Sequence, residues 1–138
     1  MTFSIFFETY ELYPEKDWYN RTYEGCGHWF EQLAKISPYI NYFHQDAFSE
    51  ETKNHIMENI EQFKTFIFAD GGDKIKEFKE YAPLLKPGDC IAVHDWGMEI
   101  NDAAILDVAI EHKLSRDGVF ATSSINLGTQ IMPFIKGE

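Results

Sequence analysis

The chain is short of cysteine: of its 138 residues only Cys26 and Cys90 are cysteines. Two are too few for a disulfide framework, no C-x-x-C occurs, and no zinc-ligand spacing can be built. Cys90 falls in a run that reads as a buried strand, where an inert small hydrophobe is expected. Basic charge is scarce as well. The twelve Lys and Arg are set against 23 Asp and Glu, for a formal net charge of −11, and no run of five basic residues offsets it. Such a surface repels phosphate backbones, so neither DNA nor RNA is an expected partner. Long apolar runs are also missing. None approaches the roughly 20 residues that span a bilayer. The N-terminus, MTFSIFFETYELYPEKDW, has no basic region ahead of its apolar residues and does not read as a signal peptide. The expectation is a cytoplasmic protein without membrane partners. No internal repeat, linker or low-complexity segment is evident, and residues 1–138 read as a single domain.

What the chain has in quantity is aromatic side chains, 16% of the total, within a hydrophobic share of 44%. That composition belongs to a globular protein with one core. Its most informative stretch is Thr65 to Gly97, TFIFADGGDKIKEFKEYAPLLKPGDCIAVHDWG. The apolar run Phe66-Ile67-Phe68-Ala69 ends on Asp70-Gly71-Gly72. A helical pattern follows over Asp73–Leu85, with Ile75, Phe78, Ala82 and Leu85 on one face and Lys74, Lys76, Glu77 and Lys79 toward water. Pro83 is expected to tighten its last turn. After Pro87-Gly88, a second run, Cys90-Ile91-Ala92-Val93, ends on His94-Asp95. This is a βαβ unit, and its two strand ends should set Asp70 and Asp95 side by side where open α/β sheets bind ligands.

The flanking elements extend the alternation. Thr2–Thr9 reads as a strand buried on both faces and ending near Glu8, and Tyr10–Arg21 reads as irregular. Glu24–Ile36 has helical spacing at Trp29, Leu33 and Ile36, and Ser37-Pro38 ends it. Ile40–Phe43 is a short strand leading to Asp46. Ser49 is a good N-cap for a helix over Glu50–Lys64, with Ile56, Ile60 and Phe63 as its apolar stripe. Asn101 can cap a helix over Asp102–Leu114. Val119–Ser123 and Gln130–Ile135 read as strands around Asn126-Leu127-Gly128, an antiparallel pair. Pro133 cannot donate to a ladder, so the final strand should be short or exposed on that side. The sum is an α/β chain, expected to form a Rossmann-like three-layer sandwich. Its mostly parallel sheet would have five to six strands, closing with the antiparallel C-terminal pair.

A strand ending Asp-Gly-Gly, a helix ending Leu-Leu-Lys-Pro-Gly-Asp and a strand ending His-Asp resemble the fourth and fifth strands of class I S-adenosylmethionine-dependent methyltransferases. The similarity is greatest to the branch of macrocin O-methyltransferase and cephalosporin-hydroxylase-like families, and it covers roughly Ile40 to Gly97. The C-terminal antiparallel pair matches that fold's reversed last strands. The resemblance implies a cofactor, S-adenosylmethionine, with Glu8 on the ribose hydroxyls, Asp46 near the adenine amino group with Phe48 against the ring, and Asp70 toward the methionine end. It implies His94 and Asp95 as catalytic residues, His94 assisting proton removal from a small-molecule oxygen acceptor. In metal-dependent members the acids at these strand ends, here Asp70 and Asp95, hold Mg²⁺. The family's first strand and its acid-x-Gly-x-Gly loop should precede the second strand, and Thr2–Thr9 already fills the second position. Glu24-Gly25-Cys26-Gly27 has suitable glycines but follows a segment, Tyr13–Tyr23, too polar for a central strand. Two readings follow: an enzyme, or a short, non-catalytic relative lacking its first βα unit and serving as a binding or assembly module. Strand edges left without that unit are expected to favour a homo-oligomer.

Overall fold

A computed structural model describes residues 7–10, 32, 35–38, 40–43, 45–116, 118–119, 122 and 130–138. They fall in two compact units, Met1–Asn54 and His55–Glu138.

In the first unit, strand β1 (Phe7–Tyr10) pairs in parallel with β2 (Ile40–Phe43), with Glu8 opposite Asn41. β1 thus runs two residues past Glu8 and takes in Tyr10, where irregular chain is expected. Thr2–Phe6 and most of the expected helix Glu24–Ile36 lie outside the described residues. Of that helix, Gln32, Lys35 and Ile36 are described and helical. Ile36, expected on its apolar stripe, is exposed. Helix α1 (Glu50–Gln62) begins as Ser49 predicts: its Oγ accepts the Thr52 backbone N–H at 3.2 Å. The helix carries the chain into the second unit, where Ile60 is buried, Ile56 is partly so, and Phe63, past the helix end, is exposed.

The second unit contains strand β3 (Phe66–Ala69), helix α2 (Lys74–Tyr81), strand β4 (Cys90–Val93), helix α3 (Asp102–Glu111), strand β5 (Leu114–Arg116) and strand β6 (Met132–Lys136). Pro83 converts the end of α2 into a 3₁₀ turn at Ala82–Leu84, because its ring removes one N–H from the helical ladder. The sheet order is β3-β4-β6-β5, with β3 and β4 parallel and β6 antiparallel to both of its neighbours.

This corrects the expected fold class. Among the described residues this sheet is a mixed one of four strands, two of its three pairings antiparallel, rather than a mostly parallel sheet of five to six. Element alternation fixes chain order, but not which strands exchange hydrogen bonds. The C-terminal pair is corrected too. β6 pairs with β4 and with β5, and Val119 and Thr122, expected in a strand, are helical. The helix expected to reach Leu114 stops at Glu111. Lys113 then takes a positive φ of 53°, and the chain re-enters the sheet as β5.

Pro133 is buried inside β6, opposite Ala92. Its missing N–H faces the β5 side. The Gln130 carbonyl and the Lys136 N–H bond the β4 side, so the even-numbered residues of this strand face β4 and the odd-numbered ones face β5. β5 ends at Arg116, opposite Phe134, which is one residue short of where a donor from position 133 would be needed.

Register places Ile67, Ala69, Ile91, Val93, Met132, Phe134 and Leu114 on one face. That face is covered by Phe78 and Tyr81 of α2, Ile105 and Ala109 of α3, and Ile100. Phe78 and Phe134 meet edge to face at 5.2 Å between ring centres. Burying a side chain of this size contributes about 1.5–3 kcal/mol. Among the described residues, no helix is long and apolar enough to cross a membrane.

Candidate functional site

The carboxyl ends of β3 and β4 bring five charged or titratable side chains together. The ladder carries one bond past β4, the His94 N–H reaching the Ala69 carbonyl at 3.1 Å. That bond sets His94 beside the end of β3, where Asp70 follows. The imidazole Nδ1 lies 3.0 Å from Asp70 Oδ1 and 3.3 Å from Asp95 Oδ1. Two carboxylate oxygens this close favour the proton on Nδ1. In the neutral ring this leaves the lone pair on Nε2, which has no hydrogen-bond partner among the described residues. The Phe68 ring stands 6.3 Å from the imidazole, centre to centre, at 61°.

Asp95 is held in the left-handed region, φ 55°, uncommon outside glycine and costing of order 1 kcal/mol or more. The strain is sustained by a tight turn. The Met98 and Glu99 N–H groups both donate to the Asp95 carbonyl, at 3.0 and 3.1 Å, and Gly97, at φ 87°, donates to Ile100. Ile100 is fully buried, and Trp96 lies 5.6 Å from Phe134, with the Arg116 guanidinium 4.9 Å above its ring. The loop is therefore pinned from below by packing, which aims the side chains of Asp95 and Glu99 at α2.

What they meet is Lys74. Expected to face water, it is only 7% exposed. Its Nζ lies 2.7 Å from Glu99 Oε2, 3.2 Å from Asp95 Oδ2 and 3.9 Å from Asp70 Oδ1, and it donates to the Gly71 carbonyl at 3.1 Å. Burial pulls its pKa down, but the hydrogen bonds to Glu99 and Asp95 and the charges behind them outweigh it, holding the ammonium above its usual 10.5. Nearby, Glu77 accepts the Gly71 N–H at 3.3 Å; its pKa is raised by desolvation, against that bond and Lys74, with Asp70 and Asp73 adding to the rise. Asp73 caps α2 through the Lys76 N–H at 3.0 Å.

Asp70, His94 and Asp95 each offer a ligand atom, all within 4.8 Å of one another. Their fit to Mg²⁺ is poor. Asp70 Oδ1 and Asp95 Oδ1 favour a proton on the His94 Nδ1 that lies between them, and Asp95 Oδ2 is paired with Lys74. A divalent ion would have to displace that proton and sit beside a fixed positive charge serving the same carboxylates. These carboxylates already share the ammonium of Lys74.

Of the residues assigned to S-adenosylmethionine, Glu8 and Asp46 belong to the first unit and Asp70 to the second. The Glu8 side chain lies outside what is described. Asp46 is exposed; its Oδ1 accepts the Phe48 N–H at 2.9 Å and its carbonyl the Ser49 N–H at 3.0 Å, forming the turn into α1. Its Oδ2 remains able to accept an amino donor, which is the chemistry an adenine asks for. Lys74 and Glu99 were not singled out from sequence. Their signal was present: each lies four residues after a strand-end acid, Asp70 and Asp95.

Comparison with family models, with curated proteins and with solved structures finds no match to this chain. The methyltransferase resemblance therefore rests on the residues quoted for it.

Proposed function

We propose that the chain is a methyltransferase-like enzyme of the cytoplasm, using S-adenosylmethionine to methylate an oxygen of a small molecule, with His94 as the general base. The observation that carries the proposal is the position of His94 Nδ1 between Asp70 and Asp95, 3.0 and 3.3 Å from their Oδ1 atoms. Two carboxylates beside Nδ1 favour the proton there and leave Nε2 as the proton acceptor. The position at the carboxyl ends of two parallel strands, and the reversal of β6 against β4, support the family reading without requiring the larger parallel sheet.

When bound, S-adenosylmethionine would supply an electrophilic methyl group. The chain's own residues would do the rest. His94 Nε2 takes the proton of the acceptor hydroxyl, and the two carboxylates on Nδ1–H stabilise the imidazolium that forms. Asp95 orients the ring; the strained backbone that holds it is consistent with a pre-set geometry. Lys74 offsets part of the charge of Asp70, Asp95 and Glu99, so that the acids can approach one another at all. The free oxygen of Asp70 would accept a donor from the cofactor.

A second reading, a non-catalytic binding module, is favoured by one observation: Lys74 gives the three acids a structural reason to be there. Calorimetric titration with S-adenosylhomocysteine, with and without Mg²⁺, separates the two. The enzyme reading expects binding heat that Mg²⁺ does not change, and binding retained in His94→Gln while methyl transfer is lost. No heat at millimolar ligand would sink it in favour of the module.

A further inference from the structure

We propose that the chain forms a two-fold dimer through the outer edge of β3, pairing antiparallel with β3 of a second copy so that Ile67 meets Ile67 at the axis. Among the described strands β3 has a neighbour on one side only, β4. Cys90 and His94 donate to the Thr65 and Ala69 carbonyls, so in the parallel ladder residues 65, 67 and 69 face β4. The N–H and C=O groups of Phe66 and Phe68 therefore point out of the sheet edge. The same two residues expose their side chains, Phe66 to 63% and Phe68 to 46%. An edge that offers both backbone groups and aromatic surface is a template for another strand.

The occupant follows from the sequence of the edge, which is complementary to itself about Ile67. Reading outward, Phe66 is balanced by Phe68, Thr65 by Ala69, and Lys64 by Asp70. Antiparallel pairing about Ile67 sets Phe66 against Phe68 of the partner subunit, and Phe68 against the partner's Phe66. These are the residues whose backbone groups face outward, so both pairs exchange N–H···O bonds in both directions. At each end the exposed Lys64 of one copy comes opposite the exposed carboxylate of Asp70 of the partner subunit. Inside one chain Lys64 is 3.9 Å from Asp89, and Asp70, whose Oδ1 lies 3.0 Å from His94 Nδ1, is 3.9 Å from Lys74; both side chains stay largely exposed. A chain with net charge −11 repels its own copies. A register that meets cation with anion twice is therefore what a self-interface here needs. It is isologous, as a two-fold contact must be. It also places a partner's cation beside the most exposed acid of the His94 cluster.

Sedimentation velocity across micromolar to millimolar concentration tests the proposal on the full chain, with circular dichroism and thermal melting to confirm that each variant is folded. The wild type is expected to be a reversible dimer that weakens with added salt. Phe66→Glu, at a solvent-facing position, is expected to raise the dimer dissociation constant by about tenfold or more. Lys64→Glu and Asp70→Asn should each weaken it by roughly three- to tenfold, because each breaks the pair at both ends. Lys76→Glu, the same charge change on the exposed face of α2, should leave it unchanged. A wild type that stays monomeric throughout, an irreversible aggregate in place of a dimer, or a dimer indifferent to Phe66→Glu and Lys64→Glu overturns the proposal.

Discussion

The two ends of the β3-α2-β4 unit are both built around acids, yet they are built differently. At the end where the strands begin, Asp89 is 0% exposed. Its Oδ1 accepts the Thr65 N–H at 2.9 Å, and its Oδ2 accepts the Lys86 N–H and Nζ, each at 3.2 Å. Lys86 Nζ in turn donates to the Ile60 and Phe63 carbonyls, satisfying orphan groups at the C-terminus of α1. The bonds to Thr65, Ile60 and Phe63 cross between segments, and together with those inside the Lys86–Asp89 turn they fasten the start of β3, the start of β4 and the end of α1. Where the strands finish, Asp70, Asp95 and Glu99 mostly meet side chains, Lys74 and His94, and retain solvent access. A buried acid clamped by backbone donors serves the fold. A partly open cluster with a lone pair to spare can serve chemistry.

The contrast is sharpest under mutation of the clamp. Asp89→Ala orphans two partly buried N–H groups and strips the Lys86 ammonium of its counter-charge, and we expect a loss of about 2 to 3 kcal/mol in urea unfolding. Asp89→Asn, which keeps an acceptor, should lose less. If Asp89→Ala unfolds within 0.5 kcal/mol of the wild type, the two ends are not different in kind.

At the other end the largest stability effect should come from Lys74, since it is the group there that is nearly enclosed. Lys74→Met leaves Asp95 and Glu99 facing each other without a cation, at a cost of about 2 kcal/mol near neutral pH. The sign with pH is set by the raised pKa. A lysine whose folded pKa lies above 10.5 stabilises fully below 10.5, and the stabilisation is lost as pH rises through the folded value. The gap between wild type and Lys74→Met should thus be flat across neutral pH and close in alkali. A gap that persists unchanged well above pH 10.5 would show that Lys74 acts through packing of its stem rather than its charge.

These two lysines and the acids around them show how far the sequence could be read. The βαβ unit, its strands at Phe66–Ala69 and Cys90–Val93, and the caps Ser49 and Asn101 follow from short-range chemistry, and each is found where its residues place it. So is the adjacency of Asp70 and Asp95, because a parallel pair aligned from its first residues ends together. Lys74 was missed because helical periodicity assigns a face from the helix alone. In the first turn a side chain also reaches back toward the strand ends, and it is those carboxylates that bury it. β5 was missed for a related reason. Leu114-Ser115-Arg116 is too short to show a period, and its strand character comes wholly from pairing with β6. The sheet order β3-β4-β6-β5 likewise depends on contacts between distant residues, which no local pattern encodes.

The smallest expected effect is also the one that tests whether the strand-end cluster is maintained against a cost. Glu77 is drawn in beside it, accepting the Gly71 N–H, and desolvation raises its pKa above 4.5 despite that bond and the charge of Lys74, with Asp70 and Asp73 adding to the rise. A carboxyl group whose folded pKa is raised gives stability that is fully present below the unfolded value and lost as pH climbs through the folded one. Ionised Glu77 is therefore a small liability at neutral pH. Glu77→Gln keeps an oxygen for the Gly71 N–H and does not ionise. Its stability relative to the wild type should increase as pH rises from below 4.5 to 7, read from urea midpoints at matched ionic strength. Curves that stay parallel over that range would mean the glutamate pays no desolvation cost, and that the loop at Gly71 is more open to water than its hydrogen bond implies.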